Sequence, residues 1–143
     1  MKLKQISLFL ENKPGALDAP CKCLADAGIS ISTLTLADTK FFGVLRLLIR
    51  DWEKAKNVLE QKGFAVKLVD VVAVEIDDSP GSLAAVLAKF AEHNLNVEYL
   101  YAFPFGVHGK AVIIFCFENP DDAVEKLRNA GVTTVDQKTL FPD

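Results

Sequence analysis

Two stretches of the chain combine residue types and spacing that could hold a ligand. "NKPGAL" runs from Asn12 to Leu17, and "DSPGSL" runs from Asp78 to Leu83, 66 residues later. Each follows an apolar run and precedes a pattern with helical period. A glycine at a helix start lets the backbone turn without a Cβ. It leaves the first N–H groups of the helix accessible at the positive end of the dipole, where a carboxylate or phosphate can sit. As chain punctuation the same residues need no ligand: a polar residue followed by Pro and Gly is a good strand-to-helix signal, with Ser79 expected as N-cap and Pro80 at the first helical position.

Both stretches belong to a larger repeat. With the same offset, "ISLFLEN" (Ile6 to Asn12) matches "VAVEIDD", "CLADAGISI" (Cys23 to Ile31) matches "KFAEHNLNV", and Phe42-Gly43 matches His108-Gly109. With an offset of 68, "DWEKAKNVLEQKGF" matches "NPDDAVEKLRNAGV". Each half reads as strand, turn, helix, strand, strand, helix, strand. Alternation over residues 3 to 10 predicts the first strand. Leu17, Cys21, Leu24 and Gly28 recur at helical spacing, and Leu83, Val86, Leu87 and Phe90 do so in the second half. "VLRLLI" and "AVIIFCF" are near-continuous apolar strands suited to a sheet centre. Helices follow at 52 to 62 and 120 to 130. Asp51 and Asn119 are the expected N-caps, Pro120 sits at N1, and Gly63 and Gly131 stop the helices as C′ residues. Pro20 interrupts the first helix, which is expected to start late at Asp18 or to kink. The last strands are "AVKLV" and "TTVDQK".

This order is the ferredoxin-like βαββαβ unit, so the fold class is α+β: two units with antiparallel sheets and helices on one face. The expected division is 1–70 and 71–143. From Val66 to Ile76 the chain has no Gly, Pro or Ser. That excludes a flexible linker and predicts two units packed as a pseudo-dimer.

The bulk composition narrows the function. The chain has 143 residues, half of them hydrophobic, with a net charge of −3. That is a foldable globular chain without the basic stripe of a phosphate-backbone binder. RNA-recognition domains share the topology but need a basic-aromatic signature on the third strand, absent from "FFGVLRLLI" and "KAVIIFCF". The N-terminus lacks a signal-peptide apolar region and no stretch approaches a membrane span, so a cytoplasmic protein is expected. Cys21, Cys23 and Cys116 form no zinc or redox spacing. Helical phase puts Cys21 in the core and Cys23 outside. His93 at a helix end and His108 in a loop have no nucleophile to serve, so no catalytic residue, metal or cofactor is assigned. Glu75, Asp77 and Asp78 read as solvated carboxylates and Trp52 as a packing residue. "YLYAFPFGVHG" reads either as a hairpin or as an edge strand used to pair with another chain.

The element order, the "ENKPGAL" and "DDSPGSL" turns, and "AGISI" and "HNLNV" after the first helix of each half resemble ACT domains, small regulatory modules that bind amino acids. The resemblance covers essentially the whole chain as two tandem units. It implies a ligand site made of the turn residues Asn12, Lys13, Pro14, Gly15, Ala16 and Leu17 in one half, and Asp78, Ser79, Pro80, Gly81, Ser82 and Leu83 in the other. Strand-entry residues Ser30 and Asn96 complete it. In serine-sensing members the turn of one unit faces the strand entry of the next, which would set Asn12 opposite Asn96 and Asp78 opposite Ser30. The Asn12/Asn96 site then looks most like an amino-acid site, since its amides can donate to a carboxylate and accept from an ammonium. The implied partners are a small-molecule amino acid and a metabolic enzyme, in a homo-oligomer. The competing reading is a ligand-free subunit that assembles or regulates an enzyme.

Overall fold

The computed structural model describes residues 1–38 and 40–141. The chain divides into two compact units, one formed by Lys4–Val69 and one by Asp70–Asp143 together with Met1–Leu3. Lys2 ties the N-terminal residues to the second of these through ion pairs with Asp121 (2.6 Å) and Asp70 (3.7 Å).

The first unit comprises β1 (Leu3–Glu11), α1 (Asp18–Asp26), β2 (Thr33–Asp38), β3 (Phe42–Leu48), α2 (Trp52–Gln61) and the start of β4 (Lys67–Ile76). Its strand order is β2-β3-β1-β4, and β1 and β2 both pair antiparallel with β3. Ile6, Leu8 and Leu10 lie on one face of β1 and join Leu45 and Leu47 of β3 beneath Leu24, Ala55 and Leu59 of the helices. Trp52 packs against this core, as its position at the helix start suggested.

The second unit continues from β4 through α3 (Ser82–Glu92), β5 (Val97–Ala102), β6 (Ala111–Phe117), α4 (Pro120–Asn129), β7 (Thr134–Val135) and α5 (Gln137–Leu140). Here β6 and β7 flank β4, and β5 is the outer neighbour of β6. Phe90 of α3 meets Phe115 and Phe117 of β6 edge-on, with ring centroids 5.0 and 5.4 Å apart. Such pairs add about 0.5–1.5 kcal/mol beyond their area burial.

Each of the four longer helices stops at a left-handed residue: Gly28, Gly63, Asn94 and Gly131, with φ of 71°, 90°, 56° and 73°. The amide two residues past the C-cap reaches back to the carbonyl three before it: Ile29 to Leu24, Phe64 to Leu59, Leu95 to Phe90 and Val132 to Leu127, at 2.8–3.1 Å. This is the Schellman closure. Asparagine tolerates the left-handed region, so "HNL" does in one half what "AGI" does in the other.

Several expectations are corrected. Cys23 is buried and Cys21 half-buried, the reverse of the helical phase read from the sequence. The buried line of α1 is Pro20, Cys23 and Leu24. Pro20 has no N–H to donate, and its ring serves as a core side chain. The absent amide also leaves the Ala16 carbonyl without its i+4 donor, and the regular helix begins only at Asp18. In α3 Val86 and Phe90 are buried, while Leu83 and Leu87 remain over a third exposed on the flanking row. Asp51 precedes α2 without capping it, whereas Asn119 accepts from the Asp122 amide at 3.1 Å. "TTVDQK" holds only the two-residue β7. Asp136 then accepts from the Thr139 amide at 2.8 Å and starts α5. Phe42-Gly43 and His108-Gly109 are not conformational equivalents. Gly43 lies within β3, while His108 (φ 56°) and Gly109 (φ 74°) form the two-residue turn of a hairpin, closed by Val107 and Lys110. Paired positive φ values at a two-residue loop match the right-handed twist of the strands.

These contacts set measurable differences. Asn119→Ala is expected to lower unfolding free energy by about 1 kcal/mol and Asp51→Ala by much less, read from urea midpoints at constant slope. Asn94→Ala should lower it by about 1–2 kcal/mol, with Asn94→Gly close to neutral, because only Ala meets the left-handed steric penalty. The hydroxyl and then the amide of Thr139 hold the Asp136 carboxyl below its ordinary value of 3.8. A depressed folded value means the cap is fully present above pH 3.8 and is lost as pH falls through the lower folded value. Hydrogen exchange at Thr139 should therefore accelerate in that acid window, and Asp136→Ala should remove the pH dependence.

Candidate functional site

The two Pro-Gly stretches adopt one conformation. The Ala16 amide bonds the Lys13 carbonyl at 3.2 Å, and the Ser82 amide bonds the Ser79 carbonyl at 3.2 Å. Gly15 has φ of 86°, and Gly81 has φ of 87° with ψ of −7°. Proline second and a left-handed glycine third make this a type II turn. The glycine carbonyl then starts the helix, accepting from Ala19 at 3.2 Å and from Ala85 at 2.9 Å. Pro80 is thus a turn residue and not the first residue of α3. Ser79 does not cap: its hydroxyl pairs with that of Ser82 at 2.8 Å across the turn, and Gly81 occupies the N-cap position. Helix geometry leaves the amides of Leu83 and Ala84 without intrahelical acceptors, and Leu17 and Asp18 stand at the matching positions of the first half.

The surroundings of the two turns differ. Asn12 clamps its turn to the β2–β3 hairpin: its backbone amide donates to the Phe41 carbonyl at 2.8 Å, and its side-chain amide donates to Asp38 (3.1 Å) and to the Lys40 carbonyl (3.3 Å). Lys13 pairs with Glu11 at 3.2 Å. A cleft of about 50 Å³ opens here, lined by Asn12, Lys13 and Leu17 together with Leu36, Asp38 and Gly43. A Cβ on Gly43 would come within 3.1 Å of Leu36 Cδ1 and 3.5 Å of Asp38 Cβ, so a larger residue here would press on the Leu36 side chain that lines the cleft. Sequence reading missed Leu36, Asp38 and Gly43. The glycine inside an apolar strand was the available signal.

Asp78 is exposed, as is Ser79. Beside this second turn the β5–β6 hairpin reaches the end of β4. His108 Nδ1 lies 3.5 Å from Glu75 Oε2, and Lys110 pairs with Asp77 at 3.3 Å. The Glu75 side chain is only 10% exposed, so it is not the solvated carboxylate expected from sequence.

The strand-entry residues Ser30 and Asn96 are exposed just before β2 and β5. In the first unit Glu11 sits opposite Phe42 and Asp38 opposite Gly43, while the Ser32 amide bonds the Leu48 carbonyl at the other end of the hairpin. The first turn and Ser30 therefore occupy opposite ends of one sheet. The second unit repeats this, with Ile76 opposite Ala111 near the turn and Val97 opposite Phe117 near Asn96. Each unit gathers its own turn residues but does not bring its own strand-entry residue to them.

Other chemistry is sparse. Burial, with the nearby Asp18 carboxylate, pushes the Cys21 thiol up, away from a reactive thiolate. Cys23 donates to the Val58 carbonyl at 3.5 Å. Among the described residues no group of three His, Cys, Asp or Glu could hold a metal ion, and no helix is long and apolar enough to cross a membrane.

Comparison with known proteins agrees with the resemblance read from the turns. The family model described as an ACT domain pair matches residues 1–142. The acetolactate synthase small subunit of Buchnera aphidicola subsp. Baizongia pistaciae (strain Bp) is 35% identical over 80 residues, 54% of this chain and 50% of that protein. The match thus spans about half the length of the curated relative. The crystal structure of protein BT0572 from Bacteroides thetaiotaomicron is 34% identical, with a TM-score of 0.89 over 100% of this chain and 98% of that one. The ligand-free regulatory subunit of aspartate kinase from Thermus thermophilus shares the fold at 18% identity, with a TM-score of 0.61 over 89% and 91% of the two chains. The full-length family match, together with the paired units and their identical turns, places the chain in the family of ACT domain pairs.

Proposed function

We propose that this ACT pair is a non-catalytic regulatory protein that binds a small amino acid at its Pro-Gly turns and transmits occupancy to a metabolic enzyme as part of a homo-oligomer. The observation that carries this reading is the duplicated type II turn that delivers a helix N-terminus beside a polar residue. Asn12, Lys13, Pro14, Gly15, Ala16 and Leu17 form one copy and Asp78, Ser79, Pro80, Gly81, Ser82 and Leu83 the other. First-turn amides favour the ligand carboxylate, and the Asp78 carboxylate favours an ammonium. Turn and strand entry lie at opposite ends of a unit, so a ligand at a turn is completed by groups from outside that unit. The strand-entry residues Ser30 and Asn96 are assigned that role. The relatives add support: one is named as the small subunit of a synthase, another as the regulatory subunit of a kinase.

A second reading has its own observation. The Asn12 side-chain amide is already engaged by Asp38 and the Lys40 carbonyl, so a ligand carboxylate must compete for it. On that reading the turn is structural, and the protein assembles or regulates its enzyme without a ligand.

A thermal-shift screen against the twenty amino acids separates the two. Ligand at about a thousand times Kd stabilises the folded state by about 4 kcal/mol. The sensor reading expects a selective rise in Tm that is lost in Asn12→Ala and Asn96→Ala and kept in Ser30→Ala. Absence of a rise with every amino acid, alongside co-purification of an enzyme, would replace it with the assembly reading.

A further inference from the structure

The Lys4–Val69 unit leaves aromatic rings exposed at one end of its sheet. Phe9 and Val44 sit opposite each other in β1 and β3, as do Glu11 and Phe42. The alternation that sends Ile6, Leu8 and Leu10 under the helices turns this set to the other face of the sheet. Phe9 is 78% exposed there and Phe42 56%, and Phe41, just before β3, is 67% exposed. The internal repeat shows the same place closed. In the Asp70–Asp143 unit the matching opposed pair is Glu75 and Val112, and both side chains are buried or nearly so. The Phe103 amide bonds the Val112 carbonyl at 2.9 Å, and the Phe103 ring meets that of Phe141 at 6.0 Å, so the end of the chain packs beside this pair. The Lys4–Val69 unit has no such trailing segment, because Val69 runs on into Asp70 within β4.

We propose that Phe9, Phe41, Phe42 and Val44, with Lys40 at their rim, dock the regulated partner protein through an apolar contact surface that carries a carboxylate. Exposed apolar patches mark interaction sites, and aromatic anchors supply most of the binding energy at them. At these exposures the three rings present roughly 300–500 Å². A stable dimer covers about 800 Å² per partner, so the patch suits a protein that docks and leaves, not a permanent second copy. Charge selects the same occupant. The Lys40 ammonium lies 5.6 Å from the centroid of the Phe41 ring and makes no ion pair among the described residues. The neighbouring carboxylates are engaged, Glu11 by Lys13 at 3.2 Å and Asp38 by the Asn12 side chain at 3.1 Å. A second copy of the patch therefore brings no open acid to Lys40, whereas a partner's carboxylate does. The patch also adjoins the first turn. Asn12 donates its backbone amide to the Phe41 carbonyl at 2.8 Å and its side chain to the Lys40 carbonyl at 3.3 Å, so a ligand that recruits Asn12 acts on the docking surface directly. This surface rests on the regulatory reading above, but not on a ligand at the turns.

The full chain with p-benzoylphenylalanine at position 9, photolysed in an extract of its source cells, marks what docks there. The expected adduct is one enzyme, joined through an apolar segment that contains Asp or Glu. Once identified and purified, that enzyme should bind the wild-type chain and lose affinity at least about tenfold with Phe9→Ser or Phe42→Ser. Lys40→Glu should slow its association and flatten the salt dependence. An unchanged Tm shows that these surface variants fold. Phe105→Ser, which alters an equally exposed ring on the other hairpin, should leave binding intact. Enzyme binding that survives both Phe9→Ser and Phe42→Ser would overturn the docking surface and leave the regulatory reading standing. Adducts only with a second copy of the chain, alongside dimers in sedimentation that Phe9→Ser dissolves, would reassign the patch to self-association. No adduct at position 9 would also overturn the surface, and if affinity purification of the wild-type chain returns no enzyme either, the regulatory reading falls with it.

Discussion

A chain that leaves the end of a strand and must lay a helix back across the same sheet has little room in which to reverse. Here the reversal depends on one left-handed residue per unit, Gly15 or Gly81. With proline fixing the preceding φ, the glycine closes a type II turn and aims its own carbonyl down the new helix axis, where Ala19 or Ala85 bonds it. Any Cβ at that φ meets the carbonyl sterics that disfavour left-handed backbone. The helix start, its phase on the sheet and the exposure of its first amides all follow from this single conformation. The candidate ligand site and the fold therefore share the same atoms.

The repeated turn does not make the units equal. In the first, Asn12 fastens the turn to the β2–β3 hairpin, and Gly43 leaves room for the Leu36 side chain. In the second, the longer β5–β6 hairpin reaches over the end of β4, setting Lys110 against Asp77 and His108 beside the nearly buried Glu75. One backbone plan thus carries two chemical environments. The asymmetry lies in the parts a turn motif does not specify: hairpin length, and the side chains at the ends of neighbouring strands.

Much of the plan was legible from local rules. The PG dipeptides, Asn119-Pro120 and the terminal glycines act within a few residues of themselves, through fixed φ, a missing amide or a reachable cap. The periodic apolar runs gave the strands and helices because burial on one face imposes period. Legibility failed where a residue type has two uses. Pro20 read as a helix breaker but packs as a core side chain, which moved Cys23 inside in place of Cys21. Asp51 has the right type for a cap without making the bond, and Ser79 spends its hydroxyl on Ser82.

By itself the sequence determined the element order, the twofold repeat and most of the helix stops, since each rests on apolar periodicity or on backbone preferences carried by single residues. Only the tertiary structure decided what surrounds the turns: that Asn12 donates to Asp38, and that the Glu75 side chain is nearly buried beside His108. Those facts come from side chains far apart in the chain meeting at one point, and no local spacing rule encodes such a meeting.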